Sequence, residues 1–302
     1  MTSSGRYLKP SRMPDAAGLH YLTTGPADAP PLLLLHGFMG SSSEWEEVAD
    51  ALSEDYRLLI PDLPGHGAST GLSYPDAYTM QGASNTLLAL LDTEDVTRCA
   101  VAGYSMGGRL ALYLALRHPE RVNRLLLESA SPGLATEEER AARRAADERL
   151  AQRLETESFQ EFVEDWYRQP LFATLARDER LLRRTIESRL HNDPHELARS
   201  LRAMGTGSQP SLWEELSNLS VPTLLVVGEE DEKFVRIARE MERVRAEVQV
   251  VTIPGAGHSV HAEATGEYMK TVRVLQKNYE WQQRKLERNG SSGASYLPTS
   301  IC

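Results

Sequence analysis

The chain has 302 residues, 41% of them hydrophobic, which suits one large domain or a domain that carries an insertion. Its net charge of −10 argues against a nucleic-acid partner, because binding to a phosphate backbone relies on clustered Lys and Arg. The two cysteines, Cys99 and Cys302, indicate no disulfide framework, and no signal peptide or membrane-spanning run is evident. We therefore expect a cytoplasmic protein with no membrane span and a small-molecule ligand.

Short apolar runs separated by helix-like segments are typical of a mostly parallel sheet flanked by helices, the α/β class. Because ligands of such sheets bind beyond the carboxyl ends of the strands, the loops there are the first candidates for a site. The segment "LHYLTTG" predicts an additional antiparallel edge strand. The six main strands are predicted in "PPLLLLHG", "YRLLIPDLPG", "RCAVAGYS", "VNRLLLESA", "VPTLLVVGEED" and "VQVVTIPGAGH".

Residues 135–210 lack the strand pattern and are predicted to form a helical lid inserted into the sheet domain. The core is then made of residues 1–134 and 211–288. Residues 289–302 are rich in Gly and Ser and are predicted to be a disordered tail. One apolar helix face is expected in the lid, formed by Phe159, Phe162, Val163 and Trp166.

The stretch "CAVAGYSMGGRLAL" places Ser105 between Gly103 and Gly107, after an apolar strand and before a helix. In that context the pattern predicts a nucleophile elbow, a strained turn that lifts the serine hydroxyl above the sheet. A serine at neutral pH needs a histidine to take its proton, and that histidine needs an acid to orient it.

The chain order Ser, acid, His is the one that the elbow fold requires. Asp231 follows the strand in "TLLVVGEED" and His258 follows the strand in "VVTIPGAGH", so both can reach the serine. Glu229 and Glu230 compete with Asp231 for the acid role, and His261 competes with His258 for the base role. The residues alone rank these alternatives only by reach and by position in the turn.

Charge on a substrate oxygen needs backbone donors, commonly one after the serine and one in the loop after an earlier strand. Met106 and Phe38, the latter in "HGFMG", are the two candidates for this oxyanion hole. A tight turn without function is the alternative for "HGF". His36 and His66 are expected to shape loops at the strand ends rather than to carry chemistry.

From "LLLLHGF" through "DLPGHGAS" and "GYSMGG" to "GAGH", the chain resembles the α/β-hydrolase superfamily. The segments "LLHGFMGSSSEW", "GYSMGGRLAL", "DWYRQPLF" and "GEEDEKF" further resemble the 2-succinyl-6-hydroxy-2,4-cyclohexadiene-1-carboxylate synthases of menaquinone biosynthesis. The resemblance favours Asp231 as the acid. It also implies a substrate with three carboxylates, which requires several fixed cations.

Arginine suits such a substrate because its planar fork grips a carboxylate with two hydrogen bonds. Arg109 lies about one turn beyond the serine on the predicted helix and could face the pocket. The resemblance also assigns Arg143 and, with ambiguous local spacing, Arg189 to substrate binding. Arg144 and Arg184 are close alternatives.

Most lid arginines are expected to be solvated, because residues 135–210 contain 13 Arg, no Lys and 15 Asp or Glu. The resemblance assigns three aromatic residues, Tyr104, Trp166 and Phe172, to the pocket. Trp166 lies on the apolar lid face as well, so lid core and pocket remain equal alternatives for it.

The implied reaction is an elimination in which His258, oriented by Asp231, activates Ser105 to remove the ring proton beside the succinyl ketone. The amides of Phe38 and Met106 would hold the enolate oxygen while pyruvate leaves as its enolate. No metal or organic cofactor is expected. Two alternatives stay open: a serine hydrolase of an ester, thioester or carbon–carbon bond, and a non-catalytic small-molecule binding protein on the same fold.

Overall fold

The computed structural model describes residues 9–10, 18–245 and 248–273. The predicted tail at 289–302 and the last part of the predicted core, 274–288, lie outside these residues. Among the described residues, no helix is long and apolar enough to cross a membrane.

One eight-stranded sheet forms the centre of the protein, with strand order β1-β2-β4-β3-β5-β6-β7-β8. The six strands from β3 to β8 run parallel to one another, and β2 pairs antiparallel with both β1 and β4. The strands are β1 (Lys9–Pro10), β2 (Tyr21–Thr24), β3 (Pro31–Leu35), β4 (Arg57–Pro61), β5 (Cys99–Tyr104), β6 (Val122–Glu128), β7 (Thr223–Gly228) and β8 (Val248–Ile253).

The six main strands confirm the predicted mostly parallel sheet, and β2 is the antiparallel strand expected in "LHYLTTG". The prediction that this strand lies at the edge was wrong, because Lys9–Pro10 pairs outside it as β1. A two-residue pairing is too short to leave an apolar pattern in the sequence, which is why the prediction missed it.

Nine α-helices accompany the sheet in the described part of the chain, with short 3₁₀ turns between them and a further helical stretch at 265–273. The helices are α1 (Glu46–Leu52), α2 (Met80–Thr93), α3 (Met106–Arg117), α4 (Glu137–Thr156), α5 (Phe159–Tyr167), α6 (Glu179–Arg189), α7 (Pro194–Met204), α8 (Glu232–Val244) and α9 (Val260–Glu263). The 3₁₀ turns are Ser42–Trp45, Pro75–Tyr78, Pro170–Phe172, Leu175–Arg177 and Glu214–Asn218.

The central strands are apolar throughout because both faces of the sheet are covered. In β3, Leu33 and Leu35 pack into the apolar cluster on one face, and Leu32 and Leu34 pack into the cluster on the other. Successive side chains of a strand point to opposite faces, so a run of leucines fills both cores. This arrangement fixes the strand ends, and with them the loops that carry the candidate site.

Helices α4 to α7 lie between β6 and β7 in the chain, where the sequence predicted a lid. They begin at side-chain caps, including a reciprocal capping box between Thr136 and Glu139. Their apolar faces form a third cluster, which includes Phe162 and Val163 and also Met39 from the loop after β3. The lid therefore packs on the core beside the strand ends, while the predicted boundaries at 134/135 and 210/211 stay predictions.

Candidate active site

Ser105 lies in a sharp turn between the carboxyl end of β5 and the first residue of α3. Its backbone has φ 49° and ψ −105°, a left-handed conformation that is strained for a side-chain-bearing residue. A Cβ on Gly103 would lie 2.5 Å from the carbonyl oxygen of Gly107, and one on Gly107 would lie 2.3 Å from that of Leu35. The glycines of the motif are therefore required by close backbone approach, as expected for a nucleophile elbow.

Ser105, His258 and Asp231 form a hydrogen-bonded chain. His258 Nε2 lies 3.2 Å from Ser105 Oγ, and His258 Nδ1 lies 2.6 Å from Asp231 Oδ2. The His258 and Asp231 side chains are each 3% exposed, so water does not screen their pairing. The geometry allows His258 to accept the serine proton while Asp231 orients the ring and stabilises its charged form.

The three acids that competed in the sequence separate clearly in space. Asp231 alone bonds His258, and its other oxygen accepts the amide of Phe234, which caps the first turn of α8. Glu230 makes two 2.7 Å bonds to Arg177, and Glu229 accepts the amide of Gly255. The competing base, His261, bonds a different carboxylate.

The two candidate oxyanion amides belong to the elbow and to the loop after β3. Met106 is the first residue of α3, so its N–H has no acceptor within the helix. Phe38 lies in the loop after β3, where the next residue, Met39, has φ 62°. A Cβ on Gly37 would lie 2.6 Å from the Tyr104 ring, so only glycine lets this loop pack on β5.

Side chains from two elements brace the loop that carries Phe38. Glu44 accepts the amide of Gly37 at 2.9 Å, and Asn192 Nδ2 donates to the carbonyl of Met39 at 2.8 Å. The lid, through Asn192, thus helps to hold the backbone that would present the oxyanion amide. No motif in the sequence marked Glu44 or Asn192 for this role.

Arg109 is a buried cation one helical turn beyond Ser105. Its Nη1 donates to the carbonyl of Met204 at 3.1 Å and to Gln209 Oε1 at 2.6 Å, and it makes no ion pair within the described residues. Burial, and then repulsion from Arg143, lower the pKa of Arg109 to about 10 against the attraction of Asp147, so Arg109 stays charged at neutral pH. A buried cation without a carboxylate partner is suited to an anionic ligand.

Arg143 lies in the electrostatic field of Arg109, and Lys233 lies in that of Arg143. Arg143 Nε donates to Asp147 Oδ1 at 2.6 Å and leaves its side chain 38% exposed. Burial, and then repulsion from Arg143, lower the pKa of Lys233, against the attraction of Asp231. No sequence pattern marked Lys233 for a role, although it lies in the "GEEDEKF" segment.

The alternative arginines point elsewhere. Arg144 bonds Glu137 and the carbonyl of Gly207, and Arg184 pairs with Glu47 on the exposed surface. Both side chains are about half exposed, at 43% and 54%. Of the two neighbours on α4, Arg143 is therefore the one electrostatically coupled to Arg109.

Arg189 is buried in an ion pair with Glu44, and its Nε donates to the hydroxyl of Tyr167 at 2.9 Å. Burial opposes the charge, but Glu44 raises the pKa of Arg189 above its ordinary value. In this structure Arg189 supports the Glu44 carboxylate, which in turn holds Gly37. Its assignment to substrate binding stays a prediction.

The three aromatic residues predicted to line the pocket have different neighbours. Phe172 is 6.0 Å from the His258 ring, and Trp166 contacts Phe38 at 5.4 Å and also packs in the lid cluster, all measured between ring centroids. Trp166 therefore packs in the lid core, and its place in the substrate pocket stays a prediction. Tyr104 is buried, and its hydroxyl bonds Ser259 at 2.7 Å, so its contact with substrate stays a prediction.

The histidines expected to shape loops do so. His36 Nε2 accepts the amide of Leu63 at 2.9 Å, which ties the loop after β3 to the loop after β4. His66 is fully buried against Phe38, and burial lowers its pKa to about 3. The described residues contain no group of three or more His, Cys, Asp or Glu side chains placed to hold a metal ion.

Comparisons with known proteins show the family to which this chain belongs. A family model described as alpha/beta hydrolase fold matches residues 30–265. A protein of Bacillus subtilis (strain 168) is 39% identical over 249 residues, 82% of this chain and 90% of the relative. The 2-succinyl-6-hydroxy-2,4-cyclohexadiene-1-carboxylate synthase of Escherichia coli O1:K1 is 37% identical over 239 residues, 79% of this chain and 90% of the relative.

Among solved structures, MenH from S. aureus superposes with a TM-score of 0.82 at 32% identity, covering 86% of this chain and 99% of that one. The fold, the elbow and the family match define an α/β hydrolase. Within that class, the chain belongs to the 2-succinyl-6-hydroxy-2,4-cyclohexadiene-1-carboxylate synthase family.

Proposed function

We propose that this protein is a carbon–oxygen lyase of menaquinone biosynthesis. It eliminates pyruvate from 2-succinyl-5-enolpyruvyl-6-hydroxy-3-cyclohexene-1-carboxylate and yields 2-succinyl-6-hydroxy-2,4-cyclohexadiene-1-carboxylate. The observation that carries this proposal is a buried Arg109 one turn beyond a Ser–His–Asp chain, a cation that makes no ion pair among the described residues. A neutral ester would leave that cation without an anionic partner, which is costly in a buried site.

The proton transfers follow from the geometry of the three residues. His258 accepts the proton of Ser105 Oγ, and the resulting alkoxide removes the ring proton beside the succinyl ketone. The electrons of the broken C–H bond form the enolate, then shift to expel the enolpyruvyl oxygen as the enolate of pyruvate. A proton from the charged His258 balances that departure, so no covalent serine intermediate and no attacking water are needed.

The surrounding groups support the charge that develops. The amides of Phe38 and Met106 are the donors for the enolate oxygen, and the lid aromatics Trp166 and Phe172 limit access of water to it. Arg109 and Arg143 are the cations for carboxylates of the substrate, which is a small polycarboxylate. The protein is proposed to act in the cytoplasm and without a metal or organic cofactor.

The decisive experiment supplies the enolpyruvyl precursor to the purified protein and follows pyruvate with a lactate dehydrogenase coupled assay. We expect turnover that the Ser105→Ala variant lacks, and no release above that variant's background would overturn the proposal. Fast hydrolysis of aryl esters with an acyl-enzyme visible by mass spectrometry would instead favour the serine hydrolase. Failure of a fluorophosphonate to label Ser105 would favour a non-catalytic binding protein.

A further inference from the structure

A second histidine–carboxylate pair lies beside the candidate active site, on the other side of the Tyr104 ring. His261 Nδ1 lies 2.8 Å from Glu128 Oε1, and the backbone amide of His261 donates to the same oxygen at 3.0 Å. The two side chains are 4% and 0% exposed. Glu128 Oε2 has no hydrogen-bond partner among the residues that the structure describes. A carboxylate buried in this way requires a compensating charge.

Glu128 joins the two segments whose distance matters for the chemistry. Its carbonyl accepts the amide of Ser105 at 2.8 Å, which anchors the elbow to the last residue of β6. Its carboxylate holds His261, which lies three residues after His258 at the start of α9. One residue therefore ties the serine through its main chain and the base-bearing segment through its side chain.

Tyr104 completes the connection between the two histidines. Its ring lies 4.7 Å from the His261 ring and 5.4 Å from the His258 ring, between centroids. Its hydroxyl is 2.7 Å from Ser259 Oγ, the residue that follows His258. The His261 ring is thus connected to the segment that carries His258 by the packed ring of Tyr104 and by the Tyr104–Ser259 hydrogen bond.

We propose that the Glu128–His261 ion pair positions His258 against Ser105. Glu128 and His261 are then positioning residues for the proton transfer. The inference rests on the proposed function, because it concerns the same serine and base. It predicts that Glu128 and His261 affect the chemical step rather than the hold on the substrate, since the substrate cations belong to other elements.

The charges around His261 favour its ionised form. Burial opposes ionisation, but attraction from Glu128 and from Glu44 raises the pKa of His261, with Arg189 acting against them. Three aromatic rings, from Trp45, Tyr104 and Tyr268, surround the imidazole at 4.7–6.1 Å between centroids. Aromatic faces stabilise a cation, so the surroundings suit an imidazolium.

A cleft of about 570 Å³ between the lid and the segment after β3 is lined by His261 of this pair. Its walls come from residues 41–48 and 175–191, and its floor contains Ser259 and His261. Neither Ser105 nor His258 lines it. A small base that enters the cleft can therefore reach the place of a deleted His261 ring without passing through the active site.

The test uses two variants, Glu128→Gln, which preserves the shape of the side chain, and His261→Asn, which preserves a donor at the Nδ position. His118→Asn is the control. His118 forms a surface pair with Glu120 at 3.6 Å, and neither residue is proposed to act in the site. We expect kcat to fall about 10- to 100-fold in both test variants with KM unchanged, as for a misplaced catalytic group. The double variant should lose no more than either single one, because the two residues act as a unit.

Labelling of Ser105 by a fluorophosphonate gives a readout that needs no pyruvate elimination. We expect the labelling rate to fall in parallel with kcat, and imidazole to restore it in His261→Gly. A wild type that labels but releases no pyruvate would refute the lyase and leave the labelling rates to decide the positioning role. Unchanged labelling and kcat in folded variants, or a loss that appears in KM, would overturn the inference.

A measurement on the wild type covers the case in which a variant does not fold. Nitrogen-15 NMR of the imidazoles at pH 7 should show His261 protonated at both ring nitrogens. A neutral His261 ring would overturn the ion pair and, with it, the positioning role.

Discussion

The two halves of the site are built by different kinds of interaction. On the sheet side, the backbone sets the geometry: Ser105 is held in a left-handed turn by glycines that allow main-chain contacts of α3 with β3 and β5. On the lid side, paired side chains set it, as in the bond of Arg143 with Asp147 and the pair of Arg189 with Glu44. A single side-chain substitution should therefore remove one interaction of the lid half and leave the backbone geometry of the sheet half unchanged.

This difference also separates chemistry from recognition. The sheet half contains the proton-transferring chain, which α/β hydrolases of many kinds can share. The lid half, together with Arg109, contains the cations that we propose select a polyanionic substrate. Substitutions on the two sides should consequently appear in different kinetic constants.

The largest effect is expected from Ser105→Ala, which removes the group that carries the proton. General acid–base catalysis contributes about 10²- to 10⁴-fold, so kcat for pyruvate release should fall by about that factor. KM should change little because the substrate cations are intact. Steady-state kinetics with equilibrium binding of the precursor would check this, and a variant that keeps wild-type kcat would assign the proton transfer to another residue.

Glu44→Gln breaks the connection between the two halves. It leaves Arg189 buried without a counter-charge, which costs about 3–5 kcal/mol in free energy of unfolding. Glu47→Gln, which breaks the exposed pair with Arg184, should cost at most about 1 kcal/mol and is the matched control. Urea unfolding measures both, and equal losses would contradict the burial argument.

The cost of Glu44→Gln should also depend on pH. Burial opposes ionisation, but Arg189 lowers the pKa of Glu44 from 4.5 to about 2. Because the folded-state pKa is depressed, the stabilisation is fully present above about pH 4.5 and is lost as the pH falls towards 2. The difference between wild type and variant should shrink across that window.

Arg109→Met is expected to give the smallest of these effects and to act on recognition. Loss of a charge-assisted hydrogen bond is worth about 1.5–3 kcal/mol, so KM should rise about 10- to 100-fold with a smaller change in kcat. Arg144→Met removes an exposed lid arginine and should leave KM unchanged. A fall in kcat alone in Arg109→Met would place this residue in the chemistry instead.

How well a feature could be predicted from the sequence depends on how far apart in the chain its interacting residues lie. The strands and the elbow were predicted because apolar runs and small residues within a few positions determine them, and the α/β-hydrolase fold is confirmed. Asp231 could be proposed because it follows a strand, but it was the family resemblance that favoured it over the two neighbouring acids.

Partners distant in the chain left no such signal. Glu44 and Arg189 are 145 positions apart, and Arg109 is 100 positions from Gln209. A pairing over that distance depends on how the lid packs on the sheet, which no local pattern encodes. The same reason explains why Glu128, a charge at the end of an apolar strand, was not connected with His261.

Asp231 divides its two oxygens between the first turn of α8 and the imidazole of His258. Fraying of that turn would free the carboxylate to rotate, so the base would lose its orientation before the sheet had opened at all. Activity is thus coupled to a local folding equilibrium at one helix end, where opening requires far less free energy than global unfolding. Mild heat or low denaturant should therefore inactivate the enzyme while most of its structure persists.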